Sequence, residues 1–104
     1  MFDSTFEKYS SDDIREAGLA LLKMADAATG GQSTTMFLQS MTAALFTGTW
    51  DSFAIGTRDQ IQSIRGALLL EEGVNPTNVH KEHADAFIAV YDENMPILNR
   101  ILDR

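Results

Sequence analysis

Ala84, Ile88, Tyr91, Met95, Leu98 and Leu102 follow one another at steps of four, three, four, three and four. On an α-helix that spacing draws one unbroken seam, because side chains three and four residues apart lie over one another. Phe87, Val90, Ile97 and Ile101 widen the seam, while Asp85, Asp92, Asn99 and Asp103 fall opposite it. So broad an apolar stripe has to be covered by other helices. Pro96 removes one donor from the ladder, yet the apolar phase continues through it, which predicts a long last helix kinked near Pro96 rather than ended there.

The preceding segments supply the cover. Ser10 or Ser11, followed by Asp12 and Asp13, reads as a helix start, since a side-chain oxygen caps free N–H groups and acids suit the positive end of the dipole. That helix is expected to run to about Ala28 and stop at Thr29-Gly30-Gly31. Ile14, Ala17, Gly18, Leu21, Leu22, Met24, Ala25 and Ala28 share one face, and Leu19 falls among polar residues on the other. Upstream, Phe2, Phe6 and Tyr9 recur at i, i+4 and i+7, which suits a short helical arm laid on the core or on a partner.

No charged residue occurs from Ala27 to Trp50, a stretch of 24 positions. Ser33 is placed to cap a helix through Met36, Phe37, Leu38, Met41, Ala44, Leu45 and Phe46, ending at Gly48. Gln32, Gln39 and several Ser and Thr residues interrupt the apolar run, so it does not read as a membrane span. A central helix, surrounded on most sides, is the first expectation; an oligomer interface or a ligand-lining helix is the alternative. Residues 50–56 read as either a helical turn or a short extended connector anchored by Trp50 and Phe53. Thr57-Arg58-Asp59-Gln60 has the capping-box pattern and predicts a new helix start at Thr57. Gly73 suits the left-handed position behind that helix, and Asn75-Pro76 suits the start of the next. The expectation is an all-α fold: a single domain over residues 1–104, a compact bundle of about four helices preceded by the short arm.

Fifteen acids against eight bases give a formal charge of −7 in 104 residues. Such a field opposes non-specific binding to phosphate backbones and to anionic lipid, and it favours a partner protein with a basic surface. With no cysteine, disulfides, thiolate metal sites and thiol nucleophiles are excluded together. Met1-Phe2-Asp3-Ser4 shows neither a basic n-region nor an apolar run, so a cytoplasmic location is expected.

Chemistry-bearing clusters are sparse. His80 and His83 stand three apart on one helix face, a weak metal candidate against the plainer reading of a solvated first turn. Neither His-Glu-x-x-His nor Glu-x-x-His occurs, nor does Gly-x-Ser-x-Gly. Gly30 and Gly31 precede a helix start, where free N–H groups attract anions, but the Walker lysine is missing. Tyr9, Lys23, Arg58 and Arg65 would make an anion site if the fold gathered them, although ordinary surface ion pairs account for the cations equally well. No catalytic set and no cofactor are expected.

In size, acidity and lack of cysteine the chain resembles small accessory proteins of bacteria and their phages, many of which act by occupying another protein's surface. The functional expectation is a non-enzymatic, acidic helical regulator or inhibitor that binds a partner protein and forms a homo-oligomer, with a dimer favoured. Its candidate contact residues are Leu19, Met36, Phe37, Met41, Trp50 and Phe53. The alternative is a protein that sequesters a nucleotide or other anion; a metal-dependent enzyme comes third.

Overall fold

The computed structural model describes residues 8–32, 34–74 and 78–103, with backbone alone at 71–74 and 78–81. Among the described residues four helices follow in order: α1 (Ser11–Thr29), α2 (Thr34–Thr47), α3 (Trp50–Val74) and α4 (Asn78–Leu102). The expected all-α bundle is what forms. Phe2, Phe6, Ser33, Asn75 and Pro76 lie outside the described residues.

Of the two serines offered as a cap for α1, Ser10 takes the place, and Asp13 makes it a capping box. Ser10 Oγ accepts the backbone N–H of Asp13 at 3.1 Å, and Asp13 Oδ2 accepts that of Ser10 at 3.1 Å. Its end is set by Gly30, whose φ of 64° lies in the left-handed region that a Cβ disfavours. The Gly30 and Gly31 N–H groups both turn back onto the carbonyl of Asp26, which closes the last turn.

α1 and α4 form the most extensive helix pair. Leu21 and Met24 from α1 meet Phe87, Leu98 and Ile101 from α4 in the buried core, with Trp50 and Ile61 from α3. The seam read from the last helix is therefore the wall of the core, and Asp92 and Asp103 on its other side are exposed. Pro96 sits inside α4, which runs on to Leu102. Arg100, paired with Glu16, ties the far end of α4 back to α1.

Two expectations fail in the middle of the chain. Of the two readings of residues 50–56 the helical one holds and the extended connector does not: α3 is continuous from Trp50, and Thr57 lies inside it rather than capping it. The start is set one residue earlier. Gly48 adopts a φ of 74°, Thr49 N–H returns to the carbonyl of Ala44 at 2.9 Å, and the Thr49 carbonyl accepts the N–H of Phe53 at 3.0 Å. An interior glycine such as Gly56 costs a helix about 1 kcal/mol relative to alanine. Complete burial of Trp50 and Ala54 on this extra stretch outweighs that. At the other end, α3 passes through Gly73 to Val74, so Gly73 is not the stop.

The larger correction concerns α2. The uncharged segment is not a central helix. It lies against α1 and α3 at the edge of the bundle, and among its described residues only Ala44 is buried. Phe37, Met41 and Leu45 turn inward and pack on the core. The approach to α1 is close at one point: a Cβ at Gly18 would stand 3.2 Å from Met41 Sδ. The rest of the helix faces away, because its apolar residues are scattered around the axis instead of gathered on one side.

Tyr9 joins the start of α1 to the start of α3. Its ring meets Trp50 edge-on at 5.5 Å, and its hydroxyl donates to Asp51 Oδ1 at 2.6 Å. Burial, then the hydrogen bond to Asp51 and its negative charge, push the Tyr9 phenol up to about 12. A phenol whose pKa is raised on folding contributes stability in full below its unfolded value, about 10, and loses it as pH climbs through the folded one. Wild-type stability is therefore expected to fall by on the order of 2 kcal/mol between about pH 10 and pH 12. In urea titrations at each pH, Tyr9→Phe should start less stable and lack this step.

Candidate functional site

The feature that stands apart is the outer side of α2. Phe46 is 85% exposed and Met36 71%, and Leu38 is exposed beside them. At about 100° per residue, Thr35, Gln39, Thr42, Ala43 and Phe46 point away from the inward set of Phe37, Met41, Ala44 and Leu45. Thr42 and Thr47 turn their hydroxyls onto the carbonyls of Leu38 and Ala43, which spends their polarity within the helix. The outcome is a helical ridge without charge, with an aromatic near one end and a methionine near the other.

Behind the ridge lies a half-open cleft of about 330 Å³ between α1, α2 and α3. Met36, Phe37 and Phe53, three of the contact residues named from sequence, line it together, with the two phenyl rings 5.4 Å apart. The other three go elsewhere. Trp50 is wholly buried and serves as a core anchor; Met41 packs inward toward Gly18; Leu19 is 49% exposed on α1. Phe46 and Leu38 were missed as contact residues. Their signal was present in the helical angle between them and the Phe37–Met41–Ala44 side, and the first expectation, a helix surrounded on most sides, hid it.

The four residues of the expected anion site are used differently. Arg58 Nη1 donates to Asp103 Oδ1 at 2.7 Å and to Asn99 Oδ1 at 3.2 Å, fastening α3 to the end of α4. Arg65 lies over the ring of Tyr91, 5.1 Å from its centre. Tyr9 is bound to Asp51, which Lys8 also approaches at 3.5 Å. Lys23 is exposed, and among the described residues no hydrogen bond or ion pair joins it to the other three. Arg58 thus already has a carboxylate partner.

His80 falls among the residues with backbone alone, and His83 is half-buried on α4. Among the described residues no three His, Asp or Glu side chains are gathered as a metal set. No described helix is long and apolar enough to cross a membrane.

The described residues form an all-α bundle of four helices, with the uncharged α2 at its edge. No protein-family model, curated protein sequence or solved structure matches this chain.

Proposed function

We propose that this chain is a non-enzymatic interaction module, a small acidic helical regulator or inhibitor that works by seating the outer face of α2 on another protein. The observation that carries the reading is Phe46, which is 85% exposed on a helix without a charged residue. Large exposed apolar side chains on an uncharged helix suit a contact site, since interface centres favour Phe and Met while excluding charge. No acid lies on α2, while the whole chain carries −7. Net negative charge favours a partner whose matching apolar patch is ringed by Lys and Arg. Ringed in this way, the encounter is faster at low salt.

The same face suits pairing of two copies, because it brings no like charges into direct contact. Site-specific photo-crosslinking in lysate of the producing cells tests both forms. With a benzoylphenylalanine at position 46, a discrete crosslinked band is expected, and at position 89, exposed on α4, none. A band at twice the chain mass identifies a homodimer, and any other mass a different partner. Equal labelling from both positions, or none from 46, contradicts the reading.

A further inference from the structure

We propose that the cleft between α1, α2 and α3 is a binding site for a neutral, mainly apolar small molecule that carries one hydrogen-bonding group. Its volume of about 330 Å³ falls at the lower end of small-molecule sites and equals the liquid volume of roughly ten waters. Ala25 and Ala28 make the space by being small. Phe37 and Phe53 form aromatic walls, the buried Ile61 lies at the inner side, and the exposed Met36 and Ile64 stand toward solvent.

Two observations select the ligand class. Among the described residues no Lys, Arg, Asp or Glu lines the cleft. An ion entering it would shed hydration and meet no counter-charge, a cost that a neutral molecule avoids. This sets the site apart from the Arg58 and Arg65 region, where the cations are engaged elsewhere. The second observation concerns the lining's polar groups. Thr29 Oγ1 donates to the Ala25 carbonyl at 3.0 Å and is spent. Ser40, Thr57 and Gln60 also line the cleft, and among the described residues no hydrogen bond engages their side chains. Thr57 in particular is half-buried in a helix interior, where threonine commonly back-bonds to its own helix, as Thr42 and Thr47 do here. One alcohol, amide or ring N–H on an apolar body would complete this set. Met36, unbranched and polarizable, adapts to the shape of what enters.

The test uses the full chain with n-octanol and with octanoate, which share an apolar tail and differ in charge. Octanol at ten times its Kd should raise Tm by about 6 °C and move the NMR signals of Met36 and Phe53. Octanoate should bind at least ten-fold more weakly. Ile64→Asp places a carboxylate at the cleft from an exposed position and should abolish the octanol response. Ser40→Phe, also exposed, should do the same by filling the space, and it carries the comparison if the first variant folds poorly. Phe46→Lys, on the outer face of α2, should respond to octanol as wild type does, so this site stands or falls apart from the protein-binding reading. Equal response to octanol and octanoate, a response that survives both cleft variants, or no shift in Tm or signals at saturating octanol overturns the proposal. A response confined to a crosslinked protein complex would assign the cleft to a partner's side chain instead and overturn it equally.

Discussion

Trp50→Ala is expected to remove about 3–5 kcal/mol of stability, the range for truncating a buried aromatic side chain to alanine. Trp50 is wholly enclosed. It holds the first turn of α3 in the core and receives the edge of Tyr9, so its loss opens a cavity at the junction of α1, α3 and the chain entering α1. A domain of this length has on the order of 5–15 kcal/mol in total. The variant should therefore melt at least 12 °C below wild type, at about 4 °C or more per kcal/mol. Calorimetry or circular dichroism on the purified chain measures this directly. Trp50→Phe should be much milder. Trp50 Nε1 is buried with no hydrogen-bond partner among the described residues, and phenylalanine removes that donor along with some volume. If the alanine variant melts within about 3 °C of wild type, Trp50 is not the anchor described, and the contact role expected for it from sequence regains its standing.

Phe46→Lys is the counterpart: a substitution expected to leave the fold alone and to damage binding. Being 85% exposed, Phe46 contributes little to the core. A lysine in the last turn of α2 suits the negative end of the helix dipole. Stability should stay within about 0.5 kcal/mol of wild type, as for surface substitutions in general. In the complex, burial of a phenylalanine is worth about 1.5–3 kcal/mol. Replacing it by a cation facing a basic rim adds desolvation and repulsion. Affinity for the captured partner should fall at least thirty-fold in titration calorimetry, while the melting curve is unchanged. An affinity within about three-fold of wild type would remove Phe46 from the contact.

The different costs of these two aromatics explain how far the residues alone could be read. The helices of α1 and α4 were legible because each concentrates its apolar residues on one side, and packing has one way to satisfy such a pattern. The start at Ser10 or Ser11 and the stop at Gly30 were legible because they depend on neighbours in sequence. The start of α3 was not. Thr57-Arg58-Asp59-Gln60 and Thr49-Trp50-Asp51-Ser52 both offer a threonine cap, and the choice is made by the burial of Trp50 and Ala54 across the bundle, a tertiary term. α2 was misplaced for a related reason. Lack of charge is necessary for enclosure and not sufficient, since enclosure also needs helices on every side. α1, α3 and α4 are committed to one another, and the small contact at Gly18 and Met41 leaves the outer side of α2 without cover.

The same limit applied to the candidate site. Met36, Phe37 and Phe53 do meet, since 36 and 37 lie on α2 and Phe53 one turn into α3, on either side of the Gly48 turn. Tyr9, Arg58 and Arg65 were drawn into structural pairings with Asp51, Asp103 and Tyr91. Those partners come from distant segments, and spacing along the chain carries no information about them.

Hydroxyl-radical footprinting of the chain in its native assembly, compared with the isolated chain, reads the central claim most directly. Oxidation of Met36 and Phe46 should fall several-fold in the assembly, with Leu70, 70% exposed on α3, labelled equally in both. Protection confined to α3 or α4, with Met36 and Phe46 oxidised at the same rate in both forms, would contradict the assignment of α2 as the contact helix.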